Sequence, residues 1–143
     1  EVDGDVLTIL AMLRERLEPR LSQAGIQIEW RVTDLPPLPE IGPEKALQLL
    51  RIFQEAITNV LKHAAASRLT FETSLKQGHT GEKGICIECR DNGKGLVNQE
   101  NGKTFGGRGL VNIKRRAERI GGIAGIENIK QGGVRVWLWI PLN

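Results

Sequence analysis

The chain has no tyrosine, only three tryptophans and three phenylalanines, one methionine and two cysteines. No basic block is interleaved with aromatic residues, and the 20 Lys and Arg are scattered among 17 Asp and Glu. That pattern argues against a nucleic-acid surface; a net charge of +3 leaves solubility and mild attraction to anions. No apolar run approaches the ~18 residues of a membrane span, so no membrane contact by this domain is expected. Cys86 and Cys89 lie on an apparent strand, where positions three apart point to opposite faces. This disfavours a mutual disulfide or a shared zinc site, and two reduced thiols suit a cytoplasmic setting. The opening, Glu1-Val2-Asp3-Gly4-Asp5, lacks methionine and the pattern of a signal peptide. A domain cut from a longer protein is expected. There is no internal repeat and no low-complexity tract.

What is present describes one domain over residues 1–143, long enough to bury roughly 68–70% of its unfolded surface without disulfides or a structural metal. Val6, Ile9, Leu10, Leu13 and Leu17 keep helical spacing, with Asp3 or Asp5 as cap. Pro19 is expected to end or kink that helix, with Leu21 and Ala24 hinting that helical structure resumes afterwards. Ile26, Ile28, Trp30 and Val32 alternate with polar residues as a half-buried strand does. Leu35-Pro36-Pro37-Leu38-Pro39 reads as a stiff connector. A long helix is expected from Pro43 to about Ala66. Leu69–Leu75 and Ile85–Cys89 alternate around Gly78 and Gly81, giving a hairpin. The segment from Val97 to Gly106 has no periodicity and reads as a flexible loop. A helix follows from Gly107-Arg108-Gly109 to Ile120, closed by Gly121-Gly122. Two last strands, Ile123–Ile129 and Val134–Pro141, flank a Gly132-Gly133 turn.

Three places could carry chemistry. On the long helix, at about 100° per residue, Glu55, Asn59 and Lys62 share one side with His63 at its edge. Leu50, Phe53, Ile57, Leu61 and Ala64 run down the other side. A carboxylate, an amide and an ammonium so aligned could face a magnesium nucleotide, or could be a solvated polar face. Asp91-Asn92-Gly93-Lys94-Gly95 stands past a strand end, where a carboxylate and close backbone could read a flat base, or where the chain simply turns. Gly106-Gly107-Arg108-Gly109 precedes a helix, whose terminal amides favour phosphate, although glycines before helices also serve as hinges.

Taken together, order and spacing resemble the ATP-binding domain of the GHKL superfamily, within it the sensor histidine kinases that partner LuxR-type response regulators. Gln54-Glu55-Ala56-x-x-Asn59-x-x-Lys62-His63-Ala64 is similar to the N box. Asp91-Asn92-Gly93-Lys94-Gly95-Leu96 is similar to the G1 box. Gly107-Arg108-Gly109-Leu110 with Asn112-Ile113-x-x-Arg116 is similar to the G2 box, and Ile140-Pro141 to the closing strand. The resemblance implies a Bergerat fold: a two-layer α/β (α+β) sandwich, with helices on one face of a mixed, mostly antiparallel sheet. It implies ATP and Mg²⁺ as cofactors, with Asn59 on the metal and Lys62 and His63 along the phosphates. Asp91 would accept from the adenine amino group, with Gly93, Gly95 and Leu96 around the base. Gly107, Arg108 and Gly109 would border the ATP lid, and Leu110 would pack near the nucleotide. Glu55 would be the general base.

Two features depart from the family pattern. The phosphoacceptor histidine on a separate dimerisation helix is absent, so a monomeric catalytic half is expected that binds ATP without phosphorylating itself. Its partners would be the dimerisation and phosphoacceptor domain of the same kinase and a response regulator downstream. The last hairpin reads Gly133-Val134 where the family usually has Gly-Thr. The alternative function is a regulatory relative in the same superfamily, such as an anti-sigma factor serine kinase; the Lys62-His63 pair and short lid favour the histidine-kinase branch.

Overall fold

A computed structural model describes residues 5–32, 41–95 and 109–142, and for His63, Ala64 and Leu110 the backbone only. Helix α1 spans Val6–Gln23, and Asp5 caps it by accepting the Thr8 N–H at 2.9 Å. Its buried stripe is Val6, Ile9, Leu10, Leu13, Leu17 and Leu21. The helix does not end at Pro19. Leu17 and Leu21, buried on either side of the proline, keep the last turn docked and offset the one backbone hydrogen bond that proline cannot make. Strand β1, Gln27–Val32, follows.

Helix α2 runs over Gly42–Asn59, and the chain then continues as a π-helical turn over Val60–Ala64. Ala65 closes this turn in the left-handed region at φ 50. The expected single α-helix to Ala66 is thus broken at Asn59. Strands β2 (Arg68–Gln77) and β3 (Lys83–Asp91) form the hairpin, α3 spans Gly109–Ile120, and β4 (Ile123–Asn128) turns into β5 (Val134–Pro141). The sheet order is β1-β2-β3-β5-β4. Among the described residues only β1–β2 is parallel, in the register Trp30 beside Phe71; the other three pairings are antiparallel.

One face of the sheet carries the core. Leu69 and Phe71, Ile85, Ile87 and Cys89, and Val136, Leu138 and Ile140 meet the buried stripes of all three helices. Phe71 is central, with Trp30 stacked on it at 5.3 Å and Phe53 of α2 edge-on at 5.1 Å. The expected two-layer α/β sandwich with a mixed sheet is the observed architecture.

The other face is divided. Toward its middle Arg90 and Arg135 bracket Glu88, with Glu72 and Glu127 beyond them. Burial alone would raise Glu88, but the two guanidinium groups outweigh it and hold the carboxyl below its usual range. Toward one end Trp137 and Trp139 lie flat over glycines. A Cβ on Gly84 would come within 2.5 Å of the Trp139 ring, and one on Gly125 within 2.8 Å of Trp137. Cys86 is buried on this face and Cys89 in the core, both as free thiols, and burial pushes both thiols up. They face opposite ways because strand side chains alternate.

Candidate functional site

The polar side of α2 and the start of α3 enclose a cleft of about 350 Å³. Its lining includes Glu55, Thr58 and Asn59 from α2 and Gly109, Asn112 and Arg116 from α3. The two helices meet here because Ile52, Phe53, Ala56 and Ile57 of α2 and Ile113 and Ala117 of α3 share the core, which turns the remaining faces toward each other. Glu55 and Asn59, one turn apart, therefore project on the same side. Arg51 and Arg116 also line the cleft, so its guanidiniums outnumber its single carboxylate, and the first residue of α3 adds the positive end of a helix dipole. Such a cleft favours a polyanion.

Among the described residues, Glu55 Oε2 is buried without a hydrogen-bond partner. With the Asn59 amide nearby, the donors available are hard oxygens of the kind Mg²⁺ takes. The described residues contain no group of three or more His, Cys, Asp or Glu able to hold a metal. The residues fit an ion that a nucleotide brings with it, keeping phosphate and water oxygens in most positions.

A second polar locus lies at the end of β3. Asp91, 5% exposed, accepts the Gly93 N–H at 2.8 Å on Oδ1 and takes a backbone hydrogen bond from Val134. Burial raises its carboxyl above the usual aspartate range, and those two bonds pull only partly the other way. An ionised carboxylate has about four lone-pair sites, so acceptor capacity remains. Val134 thus reaches Asp91 through its backbone, while its side chain is buried in the core cluster.

The glycines beside Asp91 answer to the β4–β5 turn. Gly133 sits at φ 102, and a Cβ there would come within 1.9 Å of the Asp91 carbonyl oxygen. Gly95, at φ 84, faces Asn128 and the Gly133 carbonyl, which a Cβ would crowd at 2.8 and 3.4 Å. Close backbone approach is real here, and it is between the two loops. Asn92 ties the same segment to the start of β2: its Oδ1 accepts the N–H groups of Ser67 and Arg68, both at 2.9 Å, and its Nδ2 donates to Ser67 Oγ.

The structure brings Glu55, Asn59 and Gly109 together in one cleft. Asp91, Gly93 and Gly95 gather against the β4–β5 turn and are not among the residues lining that cleft. Lys62 is exposed and does not line the cleft. The side chains of His63 and Leu110, and Leu96, Gly107, Arg108 and the expected loop at 97–106, lie outside the described residues, as does the connector at 35–39. Sequence reasoning missed Gln48, and it placed Asn92 and Gly133 in motifs without their partners, which lie 24 to 68 positions away in the chain.

Residues 44–143 match the family of histidine kinase-, DNA gyrase B- and HSP90-like ATPases. The chain belongs to this family. It is 31% identical over 131 residues to the sensor histidine kinase LiaS of Bacillus subtilis, an overlap covering 91% of this chain and 33% of LiaS. The chain therefore spans about a third of that relative's length. It shares its fold with the ATP-binding domain of PrrB from Mycobacterium tuberculosis at a TM-score of 0.66 and 22% identity, covering 99% of this chain and 97% of that one. Full-length ShkA, solved in complex with AMPPNP, gives a TM-score of 0.74 at 21% identity, over 97% of this chain and 30% of that one.

Proposed function

We propose that the chain is a single ATP-binding catalytic domain of a two-component sensor histidine kinase, transferring the γ-phosphoryl group of Mg-ATP to a histidine on a separate dimerisation domain. The observation that carries this reading is the cationic cleft in which Glu55 and Asn59 face the first residue of α3. Asp91 accepts from the adenine amino group with the lone pairs that Gly93 and Val134 leave free. Asn59 supplies its amide oxygen to the metal, and the α3 terminus with Arg51 offsets phosphate charge. Mg²⁺, when bound, would offset phosphate charge. Lys62, His63, Gly107, Arg108 and Leu110 are assigned to the nucleotide on their place in the motifs.

In the transfer, a nitrogen of the acceptor imidazole bonds to the γ-phosphorus as the bond from that phosphorus to the bridging oxygen breaks and ADP leaves. The imidazole proton passes to the Glu55 carboxylate. The domain acts as a monomer on the dimerisation and phosphoacceptor domain of its own kinase, in the cytoplasm, with a LuxR-type response regulator downstream. No described helix is long and apolar enough to cross a membrane.

Asn59→Ala tests the reading. Calorimetry should show Mg-dependent ATP binding in the wild type and its loss or severe weakening in the variant, since alanine has no oxygen for the metal. The wild type should label a supplied phosphoacceptor domain from γ-labelled ATP and acquire none itself. Equal ATP affinity in both proteins rejects Asn59 as metal ligand. Label on a serine of an antagonist protein instead would replace the kinase class.

A further inference from the structure

We propose that Arg116 is the positioning residue for Glu55, held in register by Gln48. This rests on the reading of Glu55 as the base. Arg116 projects from α3 toward α2, and its Nη1 donates to Gln48 Oε1 at 3.0 Å. Its Nη2 lies 3.7 Å from Glu55 Oε1. Gln48 and Glu55 are two helical turns apart, so one planar fork spans both. Gln48 is 7% exposed, unusual for a glutamine, and this hydrogen bond gives its burial a purpose.

The pairing is poorly explained as a stabilising ion pair. At 3.7 Å it is longer than a hydrogen bond, and with side chains 22% and 33% exposed it contributes little. It leaves Arg116 Nε and Glu55 Oε2 buried without partners among the described residues. What it does achieve is division of labour on one carboxylate. Oε1 faces a cation whose own orientation is set by Gln48, and Oε2 is left without a donor. A base needs one oxygen located and the other free to take a proton. Lysine at 116 would carry the charge but could not hold Gln48 and Glu55 in a fixed plane.

The test is a double-mutant cycle on transfer from saturating Mg-ATP to a supplied phosphoacceptor histidine domain. Arg116→Met should lower kcat about 10- to 100-fold, the effect of misplacing a catalytic group by about 1 Å, with KM for ATP within twofold of wild type. In a Glu55→Gln background the same substitution should cause no further loss, because nothing remains to be positioned. Arg116→Lys should recover little. Should Arg116→Met fail a thermal-unfolding control, Gln48→Leu removes the anchor while keeping the pair, and should lower kcat by the same route.

Loss of equal size in both backgrounds would overturn the proposal, as would a rise in KM with kcat kept, which would place Arg116 on the nucleotide itself. If Glu55→Gln alone leaves transfer unchanged, the assignment of Glu55 falls and takes this inference with it. A slow Glu55→Gln enzyme with additive Arg116→Met sinks the positioning role alone.

Discussion

Asp91→Asn separates the two demands on the buried carboxylate. In the wild type, burial disfavours the charged form, and two backbone hydrogen bonds compensate only in part. Asparagine can keep accepting the Gly93 N–H on its one oxygen. It replaces the other acceptor by an NH₂ group, which on the proposed reading presents donors to the adenine amino group. A hydrogen bond to a charged partner contributes about 1.5–3 kcal/mol, so ATP affinity should fall about 10- to 150-fold. The pH dependence carries its own sign. Because the folded-state value lies above the ordinary 3.8, the folded apo-protein holds the proton more tightly than the unfolded chain. Stability from this group is therefore full below the unfolded value and is lost as pH rises through the folded one. On the proposed role of Asp91, nucleotide binding needs the charged acceptor and runs oppositely, weakening as pH falls through that same value. Calorimetric titration across the acid range should show this limb in wild type and not in Asp91→Asn. The unfolding temperature of the variant, relative to wild type, should rise with pH over the same window. An ATP affinity within twofold of wild type would refute the reasoning and move adenine recognition elsewhere.

Two further substitutions test the frame around that carboxylate. Gly133→Ala puts a Cβ 1.9 Å from the Asp91 carbonyl oxygen at a backbone angle only glycine adopts freely. It should destabilise the fold by about 1–3 kcal/mol and weaken ATP binding, and an unchanged denaturation midpoint would show that the two loops can part without cost. Asn92→Ala leaves the Ser67 and Arg68 N–H groups without their acceptor. These bonds are exposed, so the expected loss is about 0.5–1.5 kcal/mol in chemical denaturation with a constant m-value, and a loss below about 0.3 kcal/mol would mean that water replaces the side chain.

What the sequence determined by itself was local. The i, i+4 spacing of Glu55 and Asn59 places both on one helix face whatever the rest of the chain does, and the flanking Phe53 and Ile57 decide which face is buried. Alternation alone sends Cys86 and Cys89 to opposite sides of the sheet. A capping acid before Val6 was legible as Asp3 or Asp5, and Asp5 is the one that caps α1. The motif order carried the family and the two-layer fold, because loops between regular elements stand at strand and helix ends wherever those elements pack. Tertiary structure decided everything that joins distant positions. Whether Pro19 ended or merely interrupted α1 was settled by packing, since buried leucines on both sides outweigh one missing hydrogen bond. A π-helical turn follows Asn59 in place of the expected unbroken α-helix, and no one-dimensional period reveals a change of period. Gly133 proved to be the lid on Asp91 only once β5 lay beside β3. Arg116 found Gln48 across 68 positions of chain because α2 and α3 share one core. Side-chain spacing encodes neighbours along one element, whereas partners between elements depend on strand order and packing, which are set by burial of the whole apolar surface at once.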